Sequence, residues 1–245
     1  MDLIASSPEL SIVLPAYEEA ENLRILLPAL KEAAKILTPR CEILVVDTAH
    51  PRDATPQVCA DTGVKYVPRR GGDCYGHAVR TGIADSRGSR VFLMDADGSH
   101  NPGILPALWM KREEADLIIA SRYMPGGKTE NPAILIFMSL MVNVVFRVVL
   151  RLPCRDVSNS FRLYRGEDLR ALRPECDNFD IVEEILVLLS CEHPGYRIHE
   201  VPSTFEERKA GKTKRRLVAF AFSYLAVLWR LWRLRRRVVK GRKQQ

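Results

Sequence analysis

The heptapeptide MDADGSH (Met94–His100) carries the densest chemistry in the chain. Asp95 and Asp97 stand two residues apart at the end of RVFLMDAD, an apolar run that reads as a strand. Where a strand leaves its sheet, two such carboxylates can converge on one divalent cation, on a ribose, or on the metal bridging a diphosphate. An all-oxygen ligand set favours Mg2+ or Mn2+ over zinc. The pair is not diagnostic alone, because Asp97-Gly98 is also a turn signal and Asp95 could cap a helix. A second acidic strand end, Asp47, closes EILVVD. The segment RRGGDCYGHAVRTG (Arg69–Gly82) lacks the P-loop G-K-[ST] and the G-x-G-x-x-G fingerprint. It could open a helix near phosphates, but its spacing does not decide this. His77 and His100 read as polar surface residues, not as bases.

The elements that must position these groups alternate. Leu10–Pro15, Glu42–Asp47, Val64–Pro68, Arg90–Asp97 and Ala115–Ser121 are short apolar runs with strand character. Between them, Glu18–Leu37 places Leu23, Leu26, Leu27, Leu30, Ala33 and Leu37 on one helical stripe. Pro56–Thr62, Cys74–Ser86 and Pro102–Arg112 also read as helices. Continuous apolar strands between amphipathic helices indicate βαβ units, an α/β fold whose mostly parallel sheet is covered on both faces. Ligands of such sheets bind beyond the carboxyl ends of the strands. Asp47 and the Asp95/Asp97 pair stand at those ends.

Length and composition fit one such domain. The chain has 245 residues, 47% hydrophobic and 27% charged, which supports a buried core and not a disordered chain. Six scattered cysteines without a C-x-x-C pair argue against a zinc site or a disulfide framework and fit a reducing compartment. The N-terminal MDLIASSPELSIVLP lacks the basic and apolar regions of a signal peptide.

Charge divides the chain. The net +7 resolves into 14 Lys/Arg against Glu206 and Glu207 from Phe205 onward, and 23 basic against 28 acidic residues before it. A basic tail on a mildly acidic body implies a polyanionic partner for the tail. Leu217, Phe220, Tyr224, Leu228 and Leu231 recur at helical spacing, with Trp229 and Trp232 beside arginines and a cluster from Arg235 to Lys243 following. That pattern reads as an interfacial anchor on an anionic membrane, with a core-packing helix as the plainer alternative. Nucleic acid is disfavoured, because the aromatics share the apolar stripe and do not alternate with lysines along a groove. Ile134–Leu150 is a second apolar stretch, suited either to a membrane interface or to a buried core.

Six segments occur in an order that resembles a known family: SIVLPAYEEAENL, EILVVD, MDADGSHNP, ASRYMPGGKTEN, DVSNSFRLYR and EVPSTFEERKAGKTK. They are similar to family 2 inverting glycosyltransferases, specifically the polyprenol (dolichol) phosphate mannosyltransferase branch. The resemblance implies a GT-A fold over residues 1–214, a nucleotide-sugar half to about residue 122 and an acceptor half after it, with residues 215–245 as the membrane-associating tail. It places Pro15, Tyr17 and Glu19 near the nucleotide, Asp47 on the base, and Asp95 and Asp97 at the metal and diphosphate. Arg122 would face the transferred phosphate, Glu184 would belong to the acceptor region, and Arg208 and Lys214 would clamp phosphates. Of the adjacent Glu183 and Glu184, one is expected to face solvent. The implied reaction moves a sugar, GDP-mannose being the first candidate donor, onto a polyprenyl phosphate at the cytoplasmic face of a membrane. The lipid phosphate is already an anion, so charge management by a cation and by arginines matters more than a general base.

The chain departs from that pattern. Thr48 and Ala49 stand where the family has a second acid and a small polar residue, Gly98 and Ser99 replace Leu-Gln, Pro132–Met138 carries no arginine, and S-G-F-R becomes Ser158-Asn159-Ser160-Phe161-Arg162. These changes leave two other readings open: transfer of glucose or an N-acetylhexosamine from a UDP-sugar, or a catalytically weakened nucleotide-sugar-binding membrane protein.

Overall fold

The computed structural model describes residues 7–193, 195–206 and 217–242. Its centre is a seven-stranded sheet. β1 (Leu10–Pro15), β2 (Cys41–Asp47), β3 (Lys65–Pro68) and β4 (Arg90–Leu93) come from the first half of the chain. β5 (Leu117–Ser121), β7 (Arg162–Arg165) and β8 (Ile198–Pro202) complete the order β3-β2-β1-β4-β7-β5-β8. β7 is antiparallel to both neighbours and every other pairing is parallel, so the mostly parallel sheet expected from the sequence has one reversed strand. A two-stranded parallel ribbon, β6 (Lys128–Thr129) with β9 (Thr204–Phe205), lies outside it.

Both faces of the sheet are buried, which explains the unbroken apolar runs. Along β1, Val13 joins one core while Ile12 and Leu14 join the other, as the two-residue period of a strand requires. α1 (Ala20–Leu37) and α4 (Leu105–Met110) cover the second face, with Leu23, Leu27 and Leu30 fully buried. Each such side chain contributes about 1.5–3 kcal/mol relative to exposure. α3 (Tyr75–Asp85), α6 (Gly166–Ala171) and α7 (Ile181–Glu192) cover the first face, and α2 (Thr55–Thr62) links β2 to β3. The helix expected over Pro102–Arg112 divides into a 3-10 turn, Pro102–Ile104, and the short α4. The strand expected to run to Asp97 stops at Leu93, because the chain turns out of the sheet to form the loop described below.

The two apolar helices behave differently. α5 (Ala133–Leu150) buries only Asn143, Phe146 and Leu150 and exposes Ile134, Phe137, Leu140, Met141, Val144, Val145, Val148 and Val149. It is the one helix among the described residues long and apolar enough to cross a membrane. α8 (Leu217–Arg242) packs on α7 and α5. Tyr224, Leu228 and Leu231 face the first core, with Val227, Leu234, Val238 and Val239. The stripe read as membrane-directed is therefore core-directed over this described part. The outward face instead carries Leu225, Trp229 and Trp232, with Arg233 stacked over Trp229 and Arg236 over Trp232.

Candidate active site

Strand topology assembles the site. β1, β2 and β4 run parallel in adjacent positions, so Pro15, Asp47 and the segment after Leu93 emerge at one edge. β5 lies antiparallel to β7, which is antiparallel to β4, so Arg122 leaves the sheet at that same edge. β8 ends there too. Its continuation folds back over the aspartate loop: Glu206 N–H donates to the Ser99 carbonyl, and His100 pairs with Phe205.

At the end of β2, Asp47 is 1% exposed. Burial pushes its carboxyl above the usual carboxylate range, with nearby Asp53 adding to the shift and Thr48 N–H, Arg69 and Tyr66 opposing it. Oδ2 takes a long hydrogen bond from the Tyr66 hydroxyl at 3.5 Å, whereas Oδ1 has no partner among the described residues. A buried acceptor left unpaired is costly, so this oxygen is suited to receive a donor from a ligand. Pro15 is the buried last residue of β1. Tyr17 is exposed, with the Arg52 guanidinium 5.5 Å and the Arg69 guanidinium 6.0 Å from its ring centre. Glu19 precedes α1 and accepts from Asn22 Nδ2 at 2.6 Å. Arg69 was not singled out in the sequence. It is buried, and it donates to the Ala16 carbonyl and, at 2.7 Å, to the Asp73 carbonyl, so it ties the end of β1 to the glycine-rich loop.

That loop does open a helix. Gly76, in the first turn of α3, passes so close to the 176–177 turn that an added Cβ would lie 2.1 Å from the Cys176 carbonyl oxygen. Its N–H donates to the Asp177 carbonyl at 2.7 Å. Tyr75 stacks on Phe179 and donates its hydroxyl to Asp95 Oδ1 at 3.0 Å. Burial, followed by the Asp95 charge, holds the Tyr75 phenol well above its ordinary value.

Asp95 and Asp97 lie 20% and 5% exposed. Asp97 Oδ1 accepts from the Ser99 N–H at 3.0 Å and the Ser99 hydroxyl at 2.6 Å, an Asx turn in which Gly98 adopts φ +78°. Ser99, a departure from the family pattern, thus supports this carboxylate. His100 is no surface residue: it is 2% exposed and stacked on Phe161. Asp95 N–H donates to its Nδ1 at 3.0 Å, which leaves the proton on Nε2, 3.1 Å from Asn159 Oδ1. The imidazole therefore shapes the aspartate loop. No three metal-ligating side chains cluster among the described residues. Two oxygen donors at one loop nonetheless fit Mg2+ or Mn2+, which are commonly held by one or two carboxylates together with substrate phosphates.

Beyond β5, Arg122 is in a buried ion pair. Its Nε and Nη2 meet the Asp156 carboxylate at 2.8 and 2.6 Å, Nη2 also reaches Ser158 Oγ at 2.8 Å, and Asp156 is fully buried. Burial disfavours the charged guanidinium, but the Asp156 charge prevails and its pKa lies above the ordinary value. The plane also lies over the rings of Tyr123 and Phe205. Glu183 and Glu184 are both buried, which corrects the expectation that one faces solvent. Glu184 Oε2 accepts from Glu175 N–H at 3.0 Å and Cys176 N–H at 2.7 Å and so fixes the 175–177 turn beneath α3. Glu183 Oε2 has no hydrogen-bond partner among the described residues, and burial pushes its carboxyl up to about 7. Arg208 and Lys214 lie outside the described residues. Asp156, Asn159, Tyr75 and Asn143 were not expected as site residues. Asp156 and Asn159 sit in the quoted DVSNSFR segment, Tyr75 sits in the glycine-rich segment, and Asn143 is a polar interruption of the apolar stretch Ile134–Leu150.

The site thus sits at the carboxyl edge of an open, mostly parallel sheet, with Asp47 ending β2 and Asp95 and Asp97 in the loop after β4. The profile described as Glycosyl transferase family 2 matches residues 11–173, and the chain belongs to that family. It is 34% identical to the undecaprenyl-phosphate mannosyltransferase of Micrococcus luteus, over 82% of this chain and 85% of that one. It is 33% identical to the polyprenol monophosphomannose synthase of Mycolicibacterium smegmatis, over 83% and 79%. Among solved structures, glucosyl-3-phosphoglycerate synthase from Mycobacterium tuberculosis matches at TM-score 0.70 and 17% identity, covering 93% of this chain and 80% of that one. The same enzyme solved with Mn2+ and UDP-glucose matches at TM-score 0.68. At that identity the likeness shows the fold.

Proposed function

We propose that this glycosyltransferase moves a sugar, with GDP-mannose as the donor, onto a polyprenyl phosphate at the cytoplasmic face of a membrane, with inversion at the anomeric carbon. Identity of 33–34% to enzymes named for mannosyl transfer to polyprenyl phosphates supports the substrate classes. The observation that carries the reading is α5, an apolar helix with a broad exposed face, hydrogen-bonded directly to the segment that holds Arg122.

In this reading Pro15, Tyr17, Glu19 and Asp47 form the nucleotide cradle, with the unpaired Asp47 oxygen receiving a base or ribose donor. Asp95 and Asp97 would hold Mg2+ or Mn2+, which when bound supplies positive charge to the departing diphosphate. Tyr75 and the Asp95–His100 hydrogen bond fix the first carboxylate, and Ser99 fixes the second. The acceptor phosphate attacks as an anion, so no side chain need remove a proton. Arg122, steered by Asp156, orients the phosphate region, with Arg208 and Lys214 proposed to add charge. Glu184 sets the floor of the acceptor side through the 175–177 turn. The outward faces of α5 and α8 bring the site to the lipid, with Trp229 and Trp232 at the interface and the arginines on anionic headgroups.

The test is radiolabelled sugar transfer to a short polyprenyl phosphate, with GDP-mannose, UDP-glucose and UDP-N-acetylglucosamine compared, with and without chelator. Chelator-sensitive transfer from GDP-mannose supports the proposal. Transfer from a UDP-sugar overturns the donor, and metal-dependent donor binding without turnover on any acceptor favours a weakened binding protein.

A further inference from the structure

We propose that Asn143 is a positioning residue through which seating of α5 on a lipid surface orders the Asp156–Ser160 segment and hence Arg122. The inference rests on the membrane reading of α5 given above.

Asn143 is an amide in a run of apolar residues, and it is 1% exposed on a helix whose other face lies open. Its Oδ1 accepts the Val157 N–H at 2.6 Å and the Ser158 N–H at 3.1 Å. Its Nδ2 donates to the Ser139 carbonyl at 2.8 Å and to Ser158 Oγ at 3.1 Å. Ser158 Oγ in turn accepts from Arg122 Nη2 at 2.8 Å. The path from the lipid-facing helix to the guanidinium is therefore two side chains long.

The other restraints on Arg122 come from within the protein. Asp156 pairs with it, and the Arg155 and Asp156 N–H groups donate to the Glu200 carboxylate at 2.9 Å each. Those contacts anchor one side of the segment to β8. Arg162 Nη2 holds the Val157 carbonyl from β7, and among the described residues Asn143 makes the hydrogen bonds that tie Val157 and Ser158 to α5. Only three of the eighteen residues of α5 are buried, and apolar packing fixes the helix to the body mainly along one stripe, Val142, Phe146 and Leu150. Few buried contacts mean a low opening free energy. A bilayer that buries the exposed face would hold the helix down, and these hydrogen bonds would carry that restraint to residues 157–158.

Hydrogen exchange on the full chain tests this without turnover. Amide exchange of Val157 and Ser158 is measured with and without vesicles of phosphatidylcholine and phosphatidylglycerol, and vesicle binding is measured by flotation. For the wild type, bound vesicles should slow both amides by on the order of tenfold. For Asn143→Ala the slowing should vanish while binding persists. If Asn143→Ala folds poorly, Ser158→Ala keeps both backbone bonds to Asn143. Its exchange should still slow, but vesicle stimulation of transfer to a water-soluble short-chain isoprenyl phosphate should fall. Equal slowing in wild type and Asn143→Ala, or none in bound wild type, overturns the inference. Failure to bind vesicles at all overturns the membrane reading first and takes this inference with it, so flotation distinguishes the two failures.

Discussion

The two ends of the site are built by different means. On one side, Asp47 and the Asp95/Asp97 loop are delivered by parallel strands that flank β1, and the Asp97 carboxylate is held by a residue two positions away. On the other, Arg122 pairs with Asp156, 34 residues on, and with Ser158, which is itself held by the Asn143 amide of α5. The first end is local chemistry on a rigid edge, with a buried oxygen left unpaired. The second is a long-range buried network with its ion pair already satisfied. One end is shaped to receive a polar ligand, and the other to aim a cation whose counter-charge is internal.

The largest effect separating the two should come from Asp97→Ala. Transfer should fall at least 100-fold, the scale of losing one preorganised electrostatic contact, with circular dichroism unchanged. Retained activity in folded protein would sink the placement of the diphosphate. Asp156→Ala should behave oppositely, as a stability lesion. It leaves Arg122 uncompensated and should cost about 3–5 kcal/mol in urea unfolding. A double replacement of Arg122 and Asp156 by apolar residues should recover much of that loss yet not the activity.

The two faces of α8 offer the next contrast. Leu231→Ala, at a fully buried position, should cost about 2–5 kcal/mol. Trp229→Ala, on the outward face, should change stability by less than about 0.5 kcal/mol while weakening vesicle binding in flotation. Equal effects would mean that the outward face is also packed.

Glu183 gives an effect that depends on pH. Its folded pKa of about 7 lies above the ordinary 4.5, so the folded protein holds this proton more tightly than the unfolded chain. The associated stability is complete below about 4.5 and is lost as pH rises to about 7. Glu183→Gln should remove that dependence and stabilise the protein by about 1–3 kcal/mol at pH 8, with little change at pH 4.5. An unchanged pH–stability curve would show that Glu183 ionises freely.

How much was legible follows the same division. The sequence marks the strand ends and Asp95 and Asp97, because continuous apolar runs and acidic residues at strand exits leave local traces. It misplaces His100, since a histidine in a polar loop gives no sign of stacking between Phe161 and Phe205. It cannot see that Tyr224, Leu228 and Leu231 face inward, because an amphipathic stripe fits a protein core as well as a lipid surface. Arg69, Tyr75 and Asn143 acquire their places only through contacts with distant residues.

The sequence by itself determined the α/β alternation, the carboxylates at the strand ends, the basic tail and the family to which the chain belongs, since each is written in residue type and short-range spacing. Only the tertiary structure decided that Arg122 is paired, that both Glu183 and Glu184 are buried, and that α5 leaves a broad apolar face open, from Ile134 and Phe137 to Val148 and Val149. Those facts depend on which distant segments share a face of the sheet, and chain topology, not local spacing, sets that.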